Sequence, residues 1–467
     1  MKTPHGRERQ SGRTAFTAAL IWAALSTVAW SQTQAPSLEQ QVQELSRKVE
    51  ALQQQSARPA AEPQNPSKQA QIAAGPEGLG FKSADGNFSL QFRGLVQTDA
   101  RFYLGGNYGG LETNQFLVRR ARPILTGTLY GFTSFKITPE FASNGKTLLY
   151  DAFVDVAPWS FVKLRAGKFK PPIGLEHLQE DACTPFVERG LTSNLVPQRD
   201  TGFQLYGDLP GGLVGYAVAV TNGVADSASN TSSASPLTTD TDGNNGKEVV
   251  GRLTLKPFKS ASAGLLKGLH LGIGASFAGG VSAAPTYSSP GQLSLFTAAT
   301  GAAPDGKHTR LAPELDWYYG PMRVYGEWIR SSQVWAIPAA GSALTHNTIT
   351  NQAGQAGFTY VLTGENASYA GVKPVKPFDP RAGTWGAFEL TGRYGVLYLA
   401  SDNFVHGVTT AARSVQRATS GGAGINWYWN NFLMMKADYE ETLFDKGAAT
   451  GDRLDEKFLV TRLQLAF

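Results

Sequence analysis

Residues 88–102 read Phe88-Ser89-Leu90-Gln91-Phe92-Arg93-Gly94-Leu95-Val96-Gln97-Thr98-Asp99-Ala100-Arg101-Phe102 and alternate apolar with polar side chains almost without a break. Successive side chains of an extended chain point to opposite faces. Phe88, Leu90, Phe92, Gly94, Val96, Thr98, Ala100 and Phe102 therefore share one face, and Ser89, Gln91, Arg93, Gln97, Asp99 and Arg101 share the other. A strand that is apolar on one side and charged on the other separates oil from water. Repeated around a closed sheet, it makes the wall of a transmembrane β-barrel with a polar lumen.

The alternation recurs to the end of the chain, with strand centres near residues 96, 121, 135, 152, 165, 205, 217, 252, 273, 314, 325, 359, 390, 421, 436 and 462. Sixteen is an even count of the size that leaves an aqueous lumen. The expected fold is thus all-β, a 16-stranded antiparallel transmembrane β-barrel over residues 81–467. Tight turns at Pro210-Gly211-Gly212 and Tyr319-Gly320-Pro321 contrast with long polar loops expected at 223–247, 279–307 and 335–350. Short periplasmic turns and long external loops have this asymmetry. Trp317, Tyr319, Trp328, Trp385, Tyr394, Trp427 and Trp429 are expected near strand ends, where amphipathic rings form girdles. The last strand, Phe458 to Phe467, closes the barrel and ends on its aromatic residue.

Composition excludes the main alternatives. Charged residues are 17% and aromatic residues 11%, with 52 glycines, yet the mean hydropathy is −0.21. Beyond the N-terminus no apolar run reaches the roughly 18 residues of a spanning helix, which excludes a helical membrane core. A soluble β-sandwich accommodates the aromatics but gives no reason for lipid-like faces on nearly every strand. The single cysteine, Cys183, excludes an internal disulfide framework and a cysteine-rich metal site. No Gly-x-Ser-x-Gly or His-Glu-x-x-His motif occurs, and the six histidines show no triad setting, so no enzyme, cofactor or metal is expected.

Residues 1–31 join a basic start to an apolar stretch and small residues before Gln32, the layout of a cleavable signal peptide and hence of export. The formal net charge of +5 includes +3 from Lys2, Arg7, Arg9 and Arg13 against Glu8. The +2 left in the remainder gives no basis for nucleic-acid binding. Leu38, Val42, Leu45, Val49 and Leu52 form a heptad seam, so residues 32–56 are expected as a short coiled coil that needs a self-associating body beside it. Residues 57–80, rich in Pro, Ala and Gln, are expected as a linker.

Arg93, Arg101, Arg120, Arg122, Lys136, Lys163 and Arg165 fall on the water-facing side of the first five strands, with Arg119 and Lys168 beside them. Such a wall lowers the barrier for anions, because guanidinium forks suit phosphate and carboxylate oxygens. The alternative is a set of charges balanced by Asp99, Glu140, Asp151 and Asp155. The stretch Lys170 to Thr201 opens with Pro-Pro-Ile-Gly-Leu-Glu and shows no period, while its Leu178, Phe186 and Leu191 want a wall to pack against. It is expected to fold into the lumen as a constriction loop, with Lys168 at its threshold and Lys170, His177, Glu180, Asp181 and Arg189 along it.

Seven short motifs in order extend this reading. They are Arg119-Arg120-Ala121-Arg122, the run Leu164-Arg165-Ala166-Gly167-Lys168-Phe169-Lys170 leading to Gly174-Leu175-Glu176, Val187-Glu188-Arg189, Thr201-Gly202-Phe203-Gln204-Leu205, Tyr360-Val361-Leu362-Thr363-Gly364-Glu365, Trp385-Gly386-Ala387-Phe388-Glu389-Leu390 with Asn426-Trp427-Tyr428, and the ending Arg462-Leu463-Gln464-Leu465-Ala466-Phe467. In these the chain resembles the phosphate-selective (polyphosphate-selective) porins of Gram-negative outer membranes. The resemblance implies sixteen-stranded homotrimers in contact with lipid and lipopolysaccharide, a third loop tucked into the lumen, and an arginine ladder leading to a basic constriction. It implies passive diffusion of small anions such as phosphate or polyphosphate. A general porin that also tethers the outer membrane to peptidoglycan through its coiled coil is the alternative. Arg119 and Arg120 match the family's paired arginines on the second strand, and Asp151 matches an acidic residue of the fourth. Phosphate-binding members place a lysine directly after the Gly-Leu-Glu and serines soon after. Here His177 stands there, a pH-dependent cation at most, followed by Glu180 and Asp181. Their carboxylates put like charge where an anion would shed water, with Lys168, Lys170 and Arg189 as compensating cations.

Overall fold

The computed structural model describes residues 38–56, 70–75, 78–105, 113–142, 147–228, 244–260, 264–281, 283–339 and 343–467. The expected signal peptide and residues 57–69 of the expected linker lie outside them. The chain forms two units, residues 1–66 and 67–467. The first holds helix α1 (Leu38–Ser56), on which Val42, Leu45 and Val49 stand exposed along the expected seam.

In the second unit a hairpin, β1 (Gln71–Gly75) and β2 (Gly78–Lys82), precedes β3 (Ser89–Tyr103), β4 (Gln115–Leu129), β5 (Thr133–Glu140), β6 (Leu148–Trp159), β7 (Val162–Phe169) and β8 (Asp200–Asp208). Then come β9 (Val214–Thr221), β10 (Glu248–Leu255), β11 (Leu269–Ala278), β12 (Ala303–Tyr319), β13 (Met322–Pro338), β14 (Leu344–Val361), β15 (Ala387–Tyr398), β16 (Val415–Tyr428), β17 (Leu433–Lys446) and β18 (Glu456–Ala466). Each strand from β3 onward pairs antiparallel with the next, and β18 returns to pair with β3, so sixteen strands close a barrel. All the expected strand centres fall inside them. Closure leaves no unpaired sheet edge within the hydrocarbon layer, the condition under which a sheet can cross lipid.

The alternation does what it promised. On β3, Phe92 and Val96 are exposed on the outer face while Gln97, Asp99 and Arg101 are buried inside. At the tight-turn end Trp317 stacks on Tyr319 with ring centroids 6.2 Å apart, and Trp427 on Phe388 at 5.6 Å. Phe378 packs there against Trp385, Trp427 and Trp429. Trp328 and Tyr394, expected at strand ends, instead sit within β13 and β15.

Three expectations are corrected. The linker expected over 57–80 is shorter, because Leu79–Lys82 pair with Ser89–Phe92, the part of β3 that extends past the end of β18 and needs a partner. The long loop expected at 335–350 is a hairpin: β13 runs to Pro338, β14 starts at Leu344, and the two pair throughout. Strands of 17 and 18 residues exceed the roughly 9–11 that span a membrane, so polar residues that read as loop belong to strand standing clear of the lipid. Conversely, residues 362–386 form a long connection at the tight-turn end, and it reaches the constriction segment: Tyr369 Oη donates to Leu175 O at 2.7 Å.

The apolar core lies inside the barrel. Ile173, Leu191, Leu195 and Val196 of the constriction segment, with Tyr287, Leu295 and Phe296 of the β11–β12 connection, pack against inward Ala219, Ile329, Trp335 and Leu397.

Candidate functional site

Two β-bulges aim the lumenal charges. On β4, Gln97 pairs with Arg120 but Thr98 pairs with Val118, leaving Arg119 as the extra residue. Strict alternation would send one of two adjacent arginines into lipid, whereas a bulge re-aims it. Arg120 is buried, and Arg119 also turns inward, donating from Nε to Glu188 Oε1 at 2.6 Å. On β6 the same device leaves Tyr150 unpaired between Asp151 and Leu149. Its ring receives two guanidiniums, Arg122 Cζ at 3.6 Å and Arg199 Cζ at 3.4 Å from the centroid.

The segment from Lys170 to Arg199 folds into the lumen. Its entry turns at Gly174, where φ is +85° and a Cβ would press on Val196. The four-residue helix α2 (Leu175–Leu178) follows. Glu176 staples the segment to itself and to the wall, accepting Gly190 N at 2.8 Å, Gln355 Nε2 at 2.9 Å and Arg393 Nη1 at 2.8 Å. Glu188 gathers Arg101 (2.7 Å), Arg119 (2.6 Å) and Arg462 (3.3 Å), and Asp99 binds Arg462 from β3 at 2.6 Å. Asp181 takes Arg122, Arg189 at 2.5 Å and Arg120 at 3.4 Å, while Arg122 also binds Glu140 at 2.5 Å. Backbone carbonyls complete the dock: Asn426 Nδ2 reaches Pro185 O at 2.9 Å and Gln464 Nε2 reaches Ala182 O at 2.9 Å.

Burial alone would raise the carboxyl pKa of Asp181, but Arg120, Arg189 and Arg122 outweigh it and hold the group well below the usual carboxylate range. Glu188 is held down in the same way by Arg119, Arg101 and Arg462. His177 moves the other way from a useful cation: burial, reinforced by Lys170 and Arg189, pushes it well below its ordinary value, so the ring is neutral. Its Nε2 lies 3.1 Å from Gln198 O.

The arginines Arg101, Arg119, Arg120 and Arg122 are lumenal as expected, but they face carboxylates of the segment and wall instead of open water. This revises their reading as an anion path, because the donors they aim at Glu188, Glu140 and Asp181 are engaged by carboxylates and not by a passing solute. Arg93 is exposed on the same side of β3, and Lys168 is buried on β7, in the wall and not in the loop. Asp181 is buried, whereas the Glu180 side chain is 69% exposed. The residues that sequence reasoning missed are mostly inward acids and arginines of later strands, among them Glu327, Arg393, Asp438, Glu440 and Arg462. Their inward parity was available as a signal.

An open space lies on the other side of the lumen. A cavity of about 930 Å³ is bounded by β5–β12, the Lys170–Glu180 part of the segment and Ala367–Tyr369. Lys136, Lys163, Arg165, Arg252 and Lys256 line it, with Asp151, Glu180, Asp208, Glu314 and Asp316, and with the rings of Phe153, Phe169, Tyr206, Tyr216, Tyr318 and Tyr369. Lys136 lies 3.3 Å from Asp151 and 3.6 Å from Glu180, Arg165 donates twice to Asp155 at 2.8 and 2.9 Å, and Arg252 donates to Glu314 at 2.9 Å. Among the described residues Lys163 and Lys256 make no ion pair. Lys170 is spent on the carbonyls of His177 and Gln179, at 2.8 and 2.9 Å.

Elsewhere Asp226, His308 and Ser331 meet in a group that superficially resembles a hydrolytic triad. One nitrogen, His308 Nε2, faces both Ser331 Oγ (2.8 Å) and Asp226 Oδ1 (3.3 Å), and Ser331 Oγ donates directly to Asp226 Oδ2 at 2.6 Å. A relay needs the base between its partners through two nitrogens, so this node anchors the segment after β9 to the wall.

Comparison with known proteins agrees with this architecture. Residues 88–467 match the family model described as phosphate-selective porin O and P. Porin O of Pseudomonas aeruginosa is 25% identical over 419 residues, covering 84% of this chain and 91% of its own. The structure of the outer membrane channel DcaP of Acinetobacter baumannii shares the fold with a TM-score of 0.52 at 13% identity, covering 83% of this chain and 99% of its own. With a closed barrel, an inward-folded segment after the fifth barrel strand and a model match across the whole barrel, the chain belongs to the phosphate-selective porin O and P family of outer-membrane porins.

Proposed function

We propose that the protein is a passive channel for small anions in the Gram-negative outer membrane, reached by export through its N-terminal signal, and that it has no enzymatic role. The observation that carries this reading is the cavity wall, where Lys163 and Lys256 hold positive charge with no carboxylate partner among the described residues while Lys136, Arg165 and Arg252 stand alongside. Focused positive potential in a low-dielectric channel favours anions over cations. The apolar outer face and the aromatic girdle support contact with lipid and lipopolysaccharide. The exposed seam of α1 supports assembly of three copies, since so short a seam gains stability only where a larger body holds the helices together. Reversal potentials in planar bilayers under a salt gradient test the claim: anion selectivity is expected, and cation selectivity would refute it.

A second reading, tethering to peptidoglycan through α1, is favoured by the same exposed Val42, Leu45 and Val49. Deleting residues 37–56 separates the two. Altered envelope integrity with unchanged conductance marks a tether, and loss of trimers on native gels marks an assembly device.

A further inference from the structure

We propose that the cavity prefers organic anions with a flat apolar body, aromatic monocarboxylates above all, to inorganic phosphate. This inference rests on the anion-channel reading and names its substrate class. Recognition of phosphate takes several convergent N–H donors that replace its tightly held water. The guanidiniums placed to supply them are committed or buried: Arg101 and Arg119 pair with Glu188, Arg122 with Asp181, and Arg120 is buried 3.4 Å from Asp181, donating to Gln97. Among the described residues that line the cavity, the cations without an ion pair are two ammoniums, Lys163 and Lys256, and the first stands against a ring. Lys163 Nζ lies 5.6 Å from the Tyr206 centroid. Beside it the Arg165 guanidinium is 3.8 Å from the Phe153 centroid and 5.2 Å from that of Tyr206, its fork filled by Asp155. A space of about 930 Å³ is the size of a compartment for an organic molecule, far more than one phosphate needs. A hydrated phosphate gains nothing from the ring faces of Phe153 and Tyr206. A benzoate-like ion places its carboxylate at the Lys163 ammonium and lays its ring on the aromatic wall beside it, so that its apolar body sheds water.

The test titrates benzoate, acetate and inorganic phosphate against chloride current through the full-length protein in planar bilayers. Benzoate is expected to block at a concentration at least about fivefold lower than acetate or phosphate, and the Phe153→Leu/Tyr206→Leu double variant to cut that advantage to under about twofold. Benzoate no better than acetate, or phosphate acting at the lowest concentration, overturns the proposal while leaving an anion-selective channel in place. An undiminished advantage in the double variant overturns the assignment to these rings. The wild-type series decides the matter alone if the double variant does not assemble. Cation-selective reversal potentials remove the channel reading itself, and this inference with it.

Discussion

The two sides of the lumen carry similar numbers of charges and treat them differently. Toward β3, β4 and β15–β18 the inward arginines meet carboxylates of the constriction segment at close range and are buried with them. Toward β5–β12 part of the charge lines open space, with Lys136, Lys163, Arg165, Arg252 and Lys256 at the cavity, and Lys163 and Lys256 have no acidic partner among the described residues. The first arrangement is a dock and the second, on the proposed reading, a passage. Strand alternation can say which side chains enter the lumen, but pairing decides which of them a solute can use.

Glu188→Ala should break the dock most severely. It leaves Arg101 and Arg462 buried, and Arg119 half-buried, without their shared carboxylate, and removing one partner of a buried pair costs about 3–5 kcal/mol. The segment should leave its seat, single-channel conductance should rise at least about twofold, and thermal unfolding should occur at lower temperature. Unchanged conductance and melting would show that the segment is held by packing alone. The second variant probes the other side: Lys163→Gln with Lys256→Gln should lower the anion-to-cation permeability ratio by about fivefold with little effect on melting, since the two screened charges together contribute on the order of 1 kcal/mol to the barrier. A ratio that stays put would move the selective charges elsewhere. Arg119→Gln should sharpen the contrast with a smaller effect. Its side chain is 29% exposed and Glu188 keeps Arg101 and Arg462, so the loss is expected near 1 kcal/mol and should show as added current noise with little change in mean conductance.

Every barrel strand was visible in the chain because each one has to satisfy lipid on one face and water on the other, and that demand is written with a period of two. What the period could not show is where it breaks. The bulges at Arg119 and Tyr150 each add one residue, and only the register of the neighbouring strand reveals that both adjacent arginines face inward. The inward fold of the Lys170–Thr201 stretch was readable from apolar residues that a solvated loop would not carry. Its partners were not, because Glu188 and Arg462 lie 274 positions apart and meet only when β18 closes on β3. The connection 362–386 was missed for a related reason. Its Ala367 and Val372 pack under Tyr428 and Met434, a small core with no periodicity of its own.

Acid provides the finest probe of the dock, because its groups lose their hold in different pH ranges. His177 is neutral when seated, with a pKa pushed by burial well below the ordinary 6.5. An undocked His177 takes up a proton as pH falls below that value while the seated one does not, so docking weakens progressively from there downward. Asp181 and Glu188 are held well below their ordinary 3.8 and 4.5, so their stabilisation is complete above those values and is lost only as pH falls beneath them. Release of the segment should consequently occur in two stages, a shallow rise in conductance that begins below pH 6.5 and a steep one below about 4. His177→Asn removes the proton acceptor and leaves the carboxylates, so it should abolish the first stage and retain the second. Conductance recorded across a descending pH series separates the cases. A variant that still responds between pH 6.5 and 4.5 would transfer the early stage to another group.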